Sequence, residues 1–269
     1  MSGITRRKFA QAASLAAAIP KSAPAAELKP ETLRAFDDYA RQRERRLDEE
    51  RLKGGSARFL WLDDSPQRRE RAKAGEVAIA GAGDKNPRSV PGGLIHDWAG
   101  GVFVPSATLS RVLGVVQDYD RHKRIYQPEV IDSKLLRRDG DRFSIYYRLM
   151  KKKVLTAVLN TEHDVHYVPL GSGRIHSRSY STKIAEVENP GEVGEKELPP
   201  GTDHGFLWRL NSYWRFAERD GGVYVECEAI SLSRGVPFGL GWMIEPIIRD
   251  LPQESLQKSL GATRDAAKA

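Results

Sequence analysis

Two alternating runs joined by a turn, with a helical pattern directly after them, limit this chain more than any other feature. Phe206 to Phe216 alternates apolar and polar side chains, Arg219-Asp220-Gly221-Gly222 offers a turn, and Val223 to Ser233 alternates again. Period-two alternation marks a strand with one covered face, and a glycine-containing link between two such runs reads as a hairpin. Gly235 and Pro237 break the second strand. Apolar residues at helical spacing follow, first Ile244, Ile247, Ile248 and Leu251, then Leu256, Leu260 and Thr263. Pro246 and Pro252 are expected to interrupt and bend that helix, since an interior proline removes a hydrogen bond and crowds the preceding turn. Strands that end in one long helix predict a curved antiparallel sheet gripping it. A bent helix across a concave sheet leaves an apolar cavity, so the chain reads first as a container for a hydrophobic ligand.

The same periodicities extend upstream. Leu94 to Val104 reads as a strand, and Pro105-Ser106 starts a helix with Leu109, Val112, Leu113, Val116 and Tyr119 on one face and Ser106 as its cap. A second short helix, Arg121 to Tyr126, is stopped by Pro128. Further strands are expected over Glu129 to Arg138, Arg142 to Lys151, Val154 to Tyr167, Arg174 to Val187, Phe206 to Ala217 and Gly222 to Arg234. Asn189 to His204 reads as a long loop at one end of the sheet. Its Asp203-His204 pair is either a general base at a cavity mouth or simply a turn.

At 269 residues the chain is long enough for a proper core without a disulfide or metal staple. Residues 1–26 resemble an export signal: Thr5-Arg6-Arg7-Lys8-Phe9 is a twin-arginine pattern, an Ala-rich apolar run follows, and Ala23-Pro24-Ala25-Ala26 offers a cleavage site. The expected location is therefore periplasmic. Residues 27–92 read as a charged helix, Pro30 to Lys53, and a connector containing one short strand. Leu33, Phe36 and Tyr39 can dock one face, while Arg41 to Arg51 is expected to be solvated all round. Phe59 to Leu62 is expected to cover the sheet. A formal charge of +7 leaves peripheral contact with an anionic membrane surface open, but the two signs are mixed throughout. No basic stripe with stacking aromatics is present, so no nucleic-acid partner is expected. The sequence fixes no oligomeric state.

Strand, two small helices, a meander of strands and one long C-terminal helix resemble the START-like (SRPBCC) helix-grip superfamily, in its polyketide-cyclase and coenzyme-Q-binding bacterial branch. The resemblance is carried by Val102-Phe103-Val104-Pro105-Ser106-Ala107-Thr108-Leu109, Val115-Val116-Gln117-Asp118-Tyr119-Asp120-Arg121-His122, Ser212-Tyr213-Trp214-Arg215-Phe216, Tyr224-Val225-Glu226-Cys227-Glu228 and Gly239-Leu240-Gly241-Trp242. It covers roughly residues 93 to 265, and 93–269 is taken as the domain. It implies an α+β helix-grip fold with an internal pocket. It does not fix a reaction, because one fold hosts many chemistries.

If Phe216 lies opposite Val223, then Trp208, Leu210, Ser212, Trp214 and Phe216 share a face with Val223, Val225, Cys227 and Ala229. This apolar face is expected to be concave and ligand-lining, joined by Phe143, Ile145, Tyr147 and Leu149. Lone Cys227 is expected to be a small buried hydrophobe. The expected ligand-binding residues are Tyr147, Trp208, Trp214, Val225 and Ile248, with Arg178 and Glu226 as polar contacts. Glu162, Asp164, His166, His176, Arg178, Glu226 and Glu228 form the opposite face, expected to be a solvated lattice of ion pairs. Turned inward, they would instead support a cyclase- or hydrolase-type activity. His163 and His166 point to opposite faces of a strand and cannot chelate one ion. No metal and no cofactor is expected. A filled core, with the Arg-rich helix binding an envelope partner, is the remaining alternative.

Overall fold

The computed structural model describes residues 27–53, 55–152, 156–199, 201–235 and 241–268, without the side chains of 56 and 241–249. The expected export signal, the start of the strand expected from Val154, and the Ile248 side chain lie outside the described residues.

The chain opens with helix α1 (Pro30–Leu47), continued by a π-helical turn (Asp48–Leu52), and a connector containing α2 (Pro66–Lys73). Short strands β1 (Ala78–Gly81) and β2 (Arg88–Val90) precede the long β3 (Gly93–Pro105). Helices α3 (Leu109–Val116) and α4 (His122–Ile125) carry the chain to β4 (Val130–Asp139). The meander continues through β5 (Arg142–Lys152), β6 (Thr156–Gly171), β7 (Arg174–Glu188), the two-residue β8 (Lys196–Glu197), β9 (Arg209–Arg219) and β10 (Gly222–Arg234). Helix α5 (Gly241–Lys268) follows. The sheet order is β1-β3-β10-β9-β7-β6-β5-β4, with β2 on β3 and β8 on β7, and every pairing is antiparallel. Among the described residues no helix is long and apolar enough to cross a membrane.

Three local expectations are corrected. The α3 cap is Thr108, whose hydroxyl accepts from Arg111 N at 3.3 Å; Ser106 sits at φ 59 in the turn before it. Helix α5 runs through Pro246 and Pro252 as one element. Phe216 pairs with Val225, not Val223. That shift is two residues, and the side-chain period of a strand is two, so the face assignment survives it.

Both faces of the sheet are covered around β3, β10 and β9. On the concave side Val102, Val104, Phe143, Ile145, Val165, Phe216, Val223, Val225 and Cys227 pack with Val112 and Val116 of α3 and Leu256 and Leu260 of α5. On the convex side α1 lays Phe36, Tyr39, Ala40 and Leu47 on Ile95, Tyr213, Ile230 and Leu232. The connector's Phe59, Leu60 and Leu62 sit beside them, on Phe103, Ala217 and Tyr224. Only Ala229 and Arg234 of β10 escape full burial. Gly100 and Gly101 make the double coverage close: a Cβ at Gly100 would meet Leu260 Cδ1 at 2.8 Å, and one at Gly101 would meet Leu62 Cδ1 at 2.7 Å. The expected solvated stretch from Arg41 to Arg51 is thus overturned for Arg43 of α1 and Arg51 of the π-helical turn, whose side chains are drawn into the convex layer. Their alternation with acidic residues reads as an exposed face until the complementary carboxylates on the sheet and connector are known.

Candidate functional site

A cavity of about 300 Å³ lies between the concave face and α5. That volume is at the low end of the range for small-molecule sites, about 300–1,000 Å³. Period two decides which strand residues enter it. Ile145, Tyr147, Leu149 and Lys151 come from β5, His163, Val165 and Tyr167 from β6, Ser212 and Trp214 from β9, and Cys227, Ala229 and Ser231 from β10. Tyr119 and His122 reach it from the segment after α3, and Leu251, Ser255, Leu256, Lys258 and Ser259 from α5.

The inner polar groups are mostly paired with one another. The His122 ring stacks on Tyr147 with an interplanar angle of 7°. Its Nε2 lies 3.2 Å from the Val115 carbonyl oxygen, which can only accept, so Nε2 carries the proton. Nδ1, 2.7 Å from the Tyr147 hydroxyl, therefore accepts from that phenol. Tyr167 donates to the Val116 carbonyl at 3.3 Å, which leaves its oxygen to accept from Tyr119 at 3.0 Å. Burial lowers His122 and His163 to about 4, so both are neutral at physiological pH, and it pushes the Tyr119, Tyr147 and Tyr167 phenols and the Cys227 thiol well up. Uncharged hydroxyls and imidazoles in an apolar wall can orient a ligand by hydrogen bonds without demanding a charged partner.

Of the seven expected binding residues, the structure brings Tyr147 and Trp214 together in the cavity wall. Val225 is on the same face but is packed into the core cluster and does not line the space. Trp208 is a correction: it precedes β9, departs from the strand's alternation and packs on the convex side with Ile230 and Leu232. Its indole N–H donates to Asp203 Oδ1 at 3.0 Å. Asp203 and His204 likewise serve the loop, His204 Nδ1 lying 2.5 Å from Glu186 Oε1, and neither lines the cavity.

Arg178 and Glu226 are corrections too, since both lie on the convex side and neither reaches the cavity. Arg178 pairs with Asp48 after α1. Glu226 is fully buried, accepting from Arg215 Nε at 2.7 Å and from the Leu62 backbone N–H at 3.0 Å. Arg43 of α1 reaches Glu228 Oε1 at 2.7 Å and Asp97 Oδ2 at 3.0 Å, and Tyr39 donates to Asp97 at 2.7 Å. Among the described residues the expected solvated face is accordingly found toward β5, β6 and the far end of β7, where Lys183 lies 4.0 Å from Glu162 and Ser144 donates to Asp164. Around β9 and β10 it is an internal network beneath α1.

Two guanidinium groups, Arg43 and Arg215, face three carboxylates, Asp97, Glu226 and Glu228. Burial first, and Glu228 second, push the Asp97 carboxyl up to about 7. A native group that keeps its proton above the unfolded value stabilises the fold at low pH, and that contribution is lost as pH rises through about 7. Buried His122, His163 and His176 act with the opposite sign, adding stability as pH rises from about 4 through about 6.5, where the unfolded chain gives up its histidine protons. His204, raised by Glu186, adds a fall of the same sign as Asp97. Across about pH 4 to 7 the histidine gain therefore opposes the Asp97 loss, and Asp97→Asn is expected to raise the urea midpoint relative to the parent protein progressively over that window, with no further change above about pH 8. An unchanged slope in Asp97→Asn would refute the assignment.

Sequence reasoning missed His122, Tyr119, His163 and Lys151 as cavity residues. For Lys151 the signal was present, since it continues the Phe143, Ile145, Tyr147, Leu149 series by one more step of two. His122 carried no such signal, because its position depends on where two short helices cross the sheet. Among the described residues no group of three His, Cys, Asp or Glu side chains is placed to hold a metal ion.

No protein-family profile matches the chain, and no curated protein matches it. Solved structures do. The chain is similar to a STAR-related lipid transfer protein fragment from Xanthomonas axonopodis, with 16% identity over 72% of this chain and 99% of that one, at a TM-score of 0.48. It is similar to the lipid transfer and protein localization domain of human StarD13, with 12% identity, coverage of 77% and 96%, and a TM-score of 0.46. It is also similar to the Zhui aromatase/cyclase from Streptomyces sp. R1128, with 13% identity, coverage of 65% and 94%, and a TM-score of 0.40. A long strand, two small crossing helices, an open antiparallel meander and a terminal helix held against its concave face together make this chain a START-like helix-grip fold.

Proposed function

We propose that the protein binds, and carries, a hydrophobic or amphipathic small molecule such as a lipid, quinone or polyketide-like compound between the sheet and α5. The observation that carries this reading is the cavity wall: Tyr119, Tyr147, Trp214, Ile145, Val165 and Leu256 surround a space that the described side chains leave unfilled. Burial of ligand surface there is worth about 25 cal/mol per Å². The twin-arginine pattern Thr5-Arg6-Arg7-Lys8-Phe9 supports export of the folded protein as part of the same proposal. The catalytic alternative relied on His176, Glu226 or Glu228 inside the cavity, and all three lie on the convex side.

Native mass spectrometry of protein purified from its own host is expected to show a bound apolar molecule. Trp214→Ser is expected to weaken uptake of a fluorescent fatty acid or quinone about tenfold while the urea midpoint shows a folded protein, since a buried aromatic anchor commonly contributes more than about 1 kcal/mol. Unaltered uptake would remove Trp214 from the binding wall.

A further inference from the structure

Among the described residues the cavity lining is mostly neutral, and its charge is gathered in one place. Glu129, just before β4, Lys151, near the end of β5, and Ser255 and Lys258 of α5 all line it. Lys151 Nζ donates to Glu129 and, at 2.7 Å, to Ser255 Oγ, while Lys258 Nζ donates to Glu129 Oε1 at 3.0 Å. Lys151 and Glu129 are largely covered, at 17% and 13% side-chain exposure, whereas Lys258 is 58% exposed, so this cluster spans from cavity wall to solvent. Burial favours neutral forms of both Lys151 and Glu129, yet the lysines hold Glu129 below the ordinary carboxylate range.

Two ammonium groups therefore share one carboxylate. An ammonium has three N–H donors, and Glu129 and Ser255 take two of those on Lys151. A structural ion pair needs only one cation for its anion. The second lysine, projected to the rim from a different element, leaves one ammonium in excess of the single carboxylate among these described lining residues, at the solvent end of a greasy interior.

We infer that Lys151 and Lys258 form an anionic head-group subsite, so that the ligand is a single-tailed amphiphile with one negatively charged head group, its tail running inward against Tyr147 and Trp214. This rests on the cavity-binding reading and adds the polarity and charge of the guest. Charge-assisted hydrogen bonds to a carboxylate are stronger than neutral ones and give selectivity between otherwise matched tails.

Decanoate, decanol and methyl decanoate, titrated calorimetrically into the full chain, separate the possibilities. Decanoate is expected to bind about tenfold more tightly than either neutral analogue. Lys151→Met is expected to bring decanoate affinity down to that of decanol measured in the same variant, and Lys151→Arg to keep decanoate the tighter ligand. Glu129→Gln supplies a second reading in case Lys151→Met fails to fold, because it releases both lysines and is expected to raise decanoate affinity several-fold, an effect that a purely structural ion pair would not produce. Equal binding of the acid and the alcohol, or a decrease for decanoate in Glu129→Gln, would overturn the head-group subsite and leave the cavity reading standing. No binding of any of the three, with no apolar molecule co-purified, would overturn both.

Discussion

Arg215→Met is expected to destabilise the protein by about 3–5 kcal/mol, the usual cost of removing one member of a buried ion pair. Arg215 is 3% exposed and Glu226 0%, so the orphaned carboxylate cannot recover its lost partner from water. What remains to Glu226 is the Leu62 N–H at 3.0 Å, a single neutral donor from the connector. Because that donor belongs to the layer packed over the sheet, the damage should spread outward. Urea denaturation would show the loss, and limited proteolysis should show the segment before β3 cut first. A stability within about 0.5 kcal/mol of wild type would mean that water reaches the Glu226 carboxylate beneath α1 and the connector. The double replacement Arg215→Met with Glu226→Leu should restore much of the loss, since replacing both partners with apolar groups avoids a stranded charge.

Filling the cavity is expected to have the largest effect on binding. Ala229 lines the space, pairs with Ser212 across β9 and with Trp98 across β3, and is one of the two β10 residues that are not fully buried. Ala229→Phe would place an aromatic ring where the guest's tail is expected to lie. Uptake of a fluorescent fatty acid should fall about thirtyfold or more, the equivalent of about 2 kcal/mol of lost apolar burial. Stability should hold or rise, because the new side chain enters an existing void and displaces no packed atoms. Retained uptake with a stable fold would place the ligand elsewhere. Loss of both folding and uptake would show that the space is already filled.

Local pattern made much of this legible. Alternation along β9 and β10 assigned Trp214, Cys227 and Ala229 to one face and Tyr213, Glu226 and Glu228 to the other, even with the pairing two residues off. Trp208 escaped the rule because the alternation was extended one residue beyond the start of β9, into a loop that turns the indole toward Asp203. Tyr147 and Trp214 were found because they obey the period, and His122 was not, because no period links it to the strands it touches.

The harder failure concerns α1. Its Arg-, Asp- and Glu-rich face has every mark of a solvated helix, and Arg43 and Arg51 are indistinguishable by sequence from Arg41, which is exposed. Whether a charge is buried depends on a partner distant in the chain: Arg43 and Glu228 are 185 residues apart.

The sequence by itself determined the order of the long elements from β3 onward, the two faces of the hairpin and the apolar character of the inner wall, because period and turn chemistry are properties of neighbouring residues. Only the tertiary structure decided that the acidic outer face is roofed by α1, that His122 meets Tyr147, and that Glu129, Lys151 and Lys258 converge at the rim of the cavity. Charges and hydrogen-bond donors act over a few ångströms in space, and no spacing along a chain encodes which distant segments the folded sheet will bring within that reach.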